Sequence, residues 1–293
     1  MILCAGEALI DMLPRDMGDG PGFLPAVGGA VLNTAVALGR LGAPVALHTG
    51  LSTDLFGRRI AAHMAASGVE DRAAHSDRPT TLAFVTLTDG QAEYAFYDEG
   101  TAGRMLSPAD APSMRGVDTL FLGGISLAVE PCAEAYEALA FTSDAPMMID
   151  PNVRPGFVRD ADRYRARIAR LIGRAAVVKL SDEDLAWLGM TPADVLRLGP
   201  HALLLTEGAK GAVAITARGE VRVPARPVEV VDTVGAGDTF NAGVLASLTE
   251  TGGIAEATDE RLRAALDLGV AAAAVTVSRA GANPPRRAEI APH

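Results

Sequence analysis

The stretch DTVGAGDTFNAG (232–243) places Gly235, Ala236 and Gly237 directly ahead of an acid, Asp238. After Asp238 the apolar residues Phe240, Val244, Leu245 and Leu248 follow a helical period, and Gly252-Gly253 stop it. A turn of small residues thus opens a helix that carries a carboxylate in its first turn. An acid there complements the helix dipole by about 0.3–1 kcal/mol, yet capping alone does not require two glycines, which cost conformational entropy. Small residues let a ligand approach the backbone, and N–H groups at a helix N-terminus form an anion site. A carboxylate beside a bound phosphate would repel it. The pairing makes sense if the carboxylate takes a proton from an incoming hydroxyl while the amides stabilise a phosphoryl group in transit.

Other stretches could supply the remaining contacts. In VGGAVLNTAVALGRLGAP (27–44), Gly28-Gly29 precede a helix that runs to about Leu41, with Gly42 and Pro44 as stop signals. Asn33 is the one amide in its first turns. Alone, this reads as a tight turn and a helix start, and its spacing is not the G-x-G-x-x-G of dinucleotide binders. TEGAKG (206–211), with Thr206, Gly208 and Gly211, lacks the P-loop pattern and by itself reads as a hairpin turn. It gains meaning only beside the turn at Gly235. Asp11 could accept hydrogen bonds from substrate hydroxyls, although its position alone fits a solvated loop acid better. Asp182, Glu183 and Asp184 could hold Mg2+ through water, but Ser181 as a helix cap followed by acids explains them well without a metal. Arg154 lies between Pro151 and Pro155 beside Asn152, which the general polarity of loops does not explain. The five histidines form no ligand spacing, so no zinc site is expected.

These residues need elements to carry them. Short apolar runs at 2–5, 45–49, 119–122, 147–149, 177–180, 203–206 and 213–216 read as strands. Helical patterns fall at about 30–41, 55–67, 131–141, 160–173, 182–188, 238–249 and 259–276. The alternation predicts βαβ units and a parallel sheet covered on both faces. Glycines and polar residues gather just after the strands, where open α/β sheets bind ligands. Two stretches break the pattern. TTLAFVTLTDGQAEYAFYDEG (80–100) reads as a hairpin turning at Asp89-Gly90, and 12–27 lacks helical period. Together they predict a small β lid at the edge of a single domain covering 1–293.

Composition narrows the function classes. The chain has 293 residues, 49% of them hydrophobic and 21% charged, which supplies ample core. A net charge of −10 argues against a nucleic-acid partner. Cys4 and Cys132 suggest neither a disulfide framework nor a metal site and fit a reducing compartment. The start MILCAGEALIDM has no basic region and meets Glu7 too early for a signal peptide, and LGVAAAAVTV (268–277) is too short to span a bilayer. A cytoplasmic protein without membrane partners is expected.

GGAVLNTAVALGRLG and DTVGAGDTFNAG resemble the N- and C-terminal signatures of the ribokinase-like carbohydrate kinases, the phosphofructokinase-B family. The second match is highly specific. The first is looser, because Val31 and Leu32 replace smaller residues usual in the family. The resemblance runs from Gly6 to about Pro284, and GEALIDMLP, AFYDEGTAGRML and DPNVRP are most similar to bacterial fructokinases. It implies a three-layer αβα fold with a mainly parallel central sheet and a small β-sheet lid. It implies transfer of the γ-phosphoryl group of ATP, with Mg2+, to a primary hydroxyl of a sugar. By the same resemblance Asp238 matches the catalytic base and Gly235, Ala236 and Gly237 the anion hole. Asp11, Gly28, Gly29 and Asn33 match sugar contacts, Arg154 a substrate or phosphate contact, and Phe96 and Tyr97 a cover over the sugar. Thr206, Gly208 and Gly211 match the nucleotide side, with GANPP (281–285) near the adenine. The family's K-x-N-x-x-E motif stands here as KLSDED, with Lys179, with Ser181 for Asn and with Asp184 for Glu, so either Glu183 or Asp184 would organise magnesium through water. A K+ ion near Asp232 and a homodimer formed through the lid are further implications. The expected reaction is D-fructose to fructose 6-phosphate. The rivals are a 2-keto-3-deoxygluconate or other sugar kinase of the family and, in a different class, a sugar-binding sensor without catalysis.

Overall fold

The structure, a computed structural model, describes residues 1–16, 18, 20–88 and 91–290; of residues 86–88 and 91–94 only the backbone is described. The expected turn at Asp89-Gly90 lies outside the described residues. The chain opens with β1 (Ile2–Ala5), β2 (Leu9–Asp16), β3 (Pro21–Gly28) and α1 (Ala30–Arg40). Next come β4 (Val45–His48), β5 (Gly50–Ser52), α2 (Leu55–Ala66), β6 (Val69–Asp71) and β7 (Ala74–Ser76). The pair β8 (Leu82–Thr88) and β9 (Gln91–Tyr97) leads to β10 (Thr119–Gly123), α3 (Cys132–Thr142), β11 (Met147–Asp150) and α4 (Ala161–Arg174). Then follow β12 (Val177–Ser181), α5 (Asp182–Leu188), α6 (Pro192–Arg197), β13 (Ala202–Thr206), β14 (Ala212–Thr216) and β15 (Gly219–Val223). The long helices α7 (Ala236–Glu250) and α8 (Asp259–Val277) complete the series.

Successive side chains of a strand point to opposite faces, and here both faces are buried. Ile2 and Cys4 join one apolar cluster with residues of α1, α2, α7 and α8, such as Leu32, Ile60, Val244 and Leu266. Leu3 and Ala5 join the other with residues of α3, α4, α5 and α6, such as Tyr136, Ile168, Leu185 and Val195. The result is three layers, helix on sheet on helix. The central sheet has nine strands in the order β15-β14-β13-β12-β11-β10-β1-β4-β6. Its pairs from β6 to β13 are parallel, and the pairs β13–β14 and β14–β15 are antiparallel. The expected α/β sandwich is therefore present. TEGAKG turns β13 into antiparallel β14, as its hairpin reading predicts.

The two excursions form one four-stranded sheet, β3-β2-β8-β9. The strand β2 begins at Leu9, so Asp11 belongs to this sheet, paired in register with Ala26, and not to a loop after β1. The edge strand β15 was not expected. Only Val221 and Val223 are buried in it, too short an alternation to stand out beside Glu220 and Arg222. Val31 and Leu32, the bulky substitutions in the first signature, are both fully buried. Val31 is accommodated by Gly6, where a Cβ would lie 2.4 Å from Val31 Cγ2. No helix among the described residues is long and apolar enough to cross a membrane.

Candidate active site

The parallel strands β1, β10, β11, β12 and β13 all end on one edge of the sheet, where Glu7, Gly123, Asp150, Ser181 and Thr206 stand. The glycine turn lies over this edge. Gly235 has φ 77, a left-handed conformation that favours glycine, and forms the N-cap of α7. A Cβ there would also meet the Ala282 Cβ at 2.9 Å. Helix α7 starts at Ala236, so Asp238 falls in its first turn, beside the N–H groups of the helix start.

Asp238 is 7% exposed, and the Asn33 side chain donates to its Oδ2 at 2.9 Å. One hydrogen bond therefore joins the two signature stretches across 205 residues of sequence. Burial pushes the Asp238 carboxyl up to about 7, and the charge of Asp150 adds to the rise; Asn33 and the Lys179 ammonium oppose it. A carboxyl near neutrality, in a site that also binds its charged form, suits a general base.

Beneath the turn lies a buried ion pair. Lys179 Nζ is 3.0 Å from Asp150 Oδ2, with the two side chains 6% and 2% exposed. The same Oδ2 accepts the Asn241 amide at 2.7 Å, and Oδ1 accepts the Asn152 N–H at 3.0 Å. Lys179 Nζ would stand 3.5 Å from a Cβ at Gly237, directly against the turn. Burial pulls the ammonium's pKa down, but Asp150, Asp184 and Asp238 outweigh it and hold it above the ordinary lysine value. Asp150 and Asn241 were not among the expected site residues. The signal for them was the lysine inside VVKLS, an otherwise mostly apolar strand: a buried ammonium demands a carboxylate, and DPNVRP offers one at the end of the neighbouring strand β11.

In the small sheet, Asp11 is half-buried and its carboxyl is pushed up to about 6 by burial. A Cβ at Gly28 would lie 2.0 Å from Asp11 Oδ2, so Gly28 makes the room this carboxylate occupies. Gly29 is the N-cap of α1, with φ 110. Phe96 and Tyr97, being adjacent on a strand, point to opposite faces, so they cannot both cover one sugar. Phe96 packs on Phe157 with ring centroids 3.9 Å apart, whereas Tyr97 packs on Phe84 and is 65% exposed. Arg154 directly follows Val153, and its exposed side chain donates to the Val153 carbonyl at 3.1 Å.

The acids after β12 behave as a capping box. Ser181 Oγ accepts the Asp184 N–H, and Asp184 Oδ2 accepts the Ser181 N–H and hydroxyl at 2.8 and 2.7 Å. Asp184 Oδ1 accepts the Val153 N–H at 2.8 Å. Asp184 thus ties the DPNVRP loop to α5, and Glu183 is the exposed acid beside it. Among the described residues no cluster of three or more His, Cys, Asp and Glu side chains is arranged to hold a metal ion. Thr206 pairs in register with Ser181, and Gly211, with φ 102, closes the following turn. Asp232 accepts the N–H groups of Val234 and Gly281 at 3.0 and 2.8 Å, joining the approach to the glycine turn to GANPP. Arg40 at the end of α1 donates to Asn283 Oδ1 and the Pro284 carbonyl at 2.7 and 2.8 Å.

Comparison with known proteins identifies the family. Residues 1–289 match the model of the pfkB family carbohydrate kinases. A fructokinase of Rhizobium leguminosarum bv. trifolii is 51% identical over 259 residues, which cover 85% of this chain and 79% of that protein. The structure of a fructokinase with bound ATP from Xylella fastidiosa superposes with a TM-score of 0.87 at 29% identity, covering 96% of this chain and 93% of that one. A double-mutant fructokinase from Vibrio cholerae O395, in a fructose-, ADP- and potassium-bound form, superposes with a TM-score of 0.84 at 26% identity, covering 96% and 93%. The chain belongs to the pfkB family of carbohydrate kinases and is an ATP-dependent sugar kinase.

Proposed function

We propose that this kinase converts D-fructose to fructose 6-phosphate, with Asp238 as the general base. The observation that carries the reading is the Asn33–Asp238 hydrogen bond at 2.9 Å, which aims a buried carboxylate beside a helix N-terminus able to receive phosphate. The sugar's primary hydroxyl gives its proton to Asp238 as its oxygen bonds to the γ-phosphorus. The bond from that phosphorus to the β–γ bridging oxygen breaks, and ADP leaves. N–H groups of the Gly235–Gly237 turn meet the charge of the phosphoryl group in transit. Mg2+ brought by the nucleotide would neutralise phosphate charge, with the exposed Glu183 reaching it through water, because both oxygens of the neighbouring Asp184 are engaged by Ser181 and Val153. Thr206, Gly208 and Gly211 lie along the nucleotide's path, and Asp232 is the acid next to the reading's K+ site.

Fructose, rather than an acidic sugar, is favoured by the charge of the sugar side. A ketodeoxy acid would need free cations there. Arg154 alone is a thin supply: strands β8 and β9 carry no Lys or Arg, and Arg104 beyond them is already paired with Asp98 at 2.9 Å, with its Nε also engaged by the Glu130 carbonyl. A sensor without catalysis is disfavoured by the complete Asp238 turn. Phe23, 41% exposed, and Tyr97, 65% exposed, flank Phe84 on the outer face of the small sheet and give a second copy of the chain an apolar surface to meet. Sheet closure would exclude water, which otherwise competes for the phosphoryl group.

The deciding experiment is an initial-rate panel with fructose, mannose, tagatose and 2-keto-3-deoxygluconate at fixed MgATP. The expected result is the highest kcat/KM for fructose; a ketodeoxy acid ranking first would overturn the substrate assignment. In the same assay Asp11→Ala is expected to raise the fructose KM about 10–100-fold, the loss of hydrogen bonds to a charged group, and to leave the ATP KM within threefold of about its wild-type value. Equal weakening of both substrates would take Asp11 off the sugar side.

A further inference from the structure

Glu7 is a buried acid that the proposed chemistry does not use. It follows β1, is 9% exposed, and its carboxylate joins two separate segments. Oε1 accepts the N–H of Ala30, the first residue of α1, at 3.1 Å. Oε2 accepts the Ser126 hydroxyl at 2.9 Å and its N–H at 3.3 Å, in the 3-10 turn Ile125–Leu127 that follows β10. The Glu7 carbonyl accepts a further helix-start donor, the Leu32 N–H at 3.3 Å. The N-cap of α1 is Gly29, which has no side chain to offer, and no acid occupies the helix's first turn. Glu7 therefore supplies from a neighbouring strand the negative acceptor that the helix's own sequence omits. The space for it is reserved, since a Cβ at Gly124 would lie 2.0 Å from Oε1.

The helix fixed in this way is the one that aims the base. Asn33 stands one turn after Ala30 and holds Asp238 Oδ2. Immediately before α1, Gly28 makes room for Asp11. The far end of the helix has its own anchor, Arg40 on Asn283 and Pro284. We propose that Glu7 is a positioning residue of the sugar side: it locks the start of α1 to the turn after β10, and through Asn33 it sets the direction of the Asp238 carboxylate. The proposal rests on the assignment of Asp238 as base. It predicts that damage at Glu7 reaches the sugar and the chemical step while nucleotide binding, served by the other end of α1 and by α7, is spared.

The test compares Glu7→Ala, Glu7→Gln and Ser126→Ala with the wild-type enzyme, each checked for a cooperative thermal transition. The measurements are kcat, the KM of the sugar and the Kd of the non-hydrolysable analogue AMP-PNP with Mg2+. Glu7→Ala is expected to lower kcat/KM for the sugar about 10–100-fold, the loss expected for hydrogen bonds to a charged group. The AMP-PNP Kd is expected to stay within about threefold, a split that a general loss of structure would not produce. Glu7→Gln should recover part of the activity, because its amide oxygen still accepts the Ala30 N–H while the Ser126 N–H loses its acceptor. A folded Glu7→Ala enzyme with wild-type kcat/KM, or one that loses AMP-PNP and sugar affinity equally, overturns the proposal. Should Glu7→Ala not fold, Glu7→Gln and Ser126→Ala decide it by the same split. All assays use the sugar that the wild-type enzyme turns over fastest, so an error about fructose and an error about Glu7 give separate results.

Discussion

Replacing Asp238 by Asn lowers kcat by about 10²–10⁴-fold, the usual contribution of a positioned general base. The substitution keeps the shape of the side chain and an oxygen that can accept the Asn33 amide, now at 2.9 Å from Oδ2. It removes only the ability to take a proton, so the fructose KM should change little. The pH profile is a second, independent reading of the same group. A base works in its deprotonated form, and burial places the Asp238 carboxyl at about 7. For the free enzyme kcat/KM should therefore rise with pH through about 7, falling about tenfold per unit well below it, and flatten above. The groups that face the carboxylate are Asn33 from α1, Asp150 from β11, Lys179 from β12 and Glu7 after β1; the two acids push the midpoint up, and the amide and the ammonium push it down. The check is a set of initial rates from pH 5 to 9 for the wild-type and the Asn variant. A variant that keeps more than about a tenth of wild-type turnover, or a wild-type profile flat through neutrality, would remove Asp238 from the role of base.

Much of this arrangement is legible in the residues themselves, for physical reasons that also show where reading stops. The parallel strands are legible because burial on both faces leaves unbroken apolar runs such as ILCA and MMI, and short runs between helical patterns admit few topologies. The Gly235–Asp238 turn is legible because φ 77 and a close approach to Ala282 leave glycine as the unstrained choice. What stays hidden is whatever depends on which side chains meet. Nothing local in GGAVLN says that Asn33 will reach a carboxylate 205 positions away. Asp11 reads as a loop acid because the start of β2 is signalled only by pairing with β3, which no local pattern reveals. Asp184 reads as a possible metal ligand, and its bond to the Val153 N–H appears only when two strand ends are brought together. Glu7 looks like an ordinary polar residue after a strand, because the absence of a cap on α1 becomes informative only once the helix lies beside β1.

The largest expected loss of stability comes from Lys179→Met. Methionine has nearly the length of the lysine stem and fills irregular gaps, so the packing term is small. The charge term is not. With the ammonium gone, Asp150, whose side chain is 2% exposed, keeps only the Asn241 amide and the Asn152 N–H as neutral donors. Removing one member of a buried pair costs about 3–5 kcal/mol, because an uncompensated charge remains in a poorly solvated place. Adding Asp150→Asn removes that charge, so the double variant should regain most of the lost stability, a non-additive result that a double-mutant cycle measures directly in urea unfolding. Activity should not return with it. Lys179 lies against the glycine turn and favours the charged form of Asp238, and the double variant restores neither effect. Stability and turnover are then separated within one ion pair. A double variant as unstable as Lys179→Met alone would mean that the lysine stem, rather than the buried charge, holds this part of the core together.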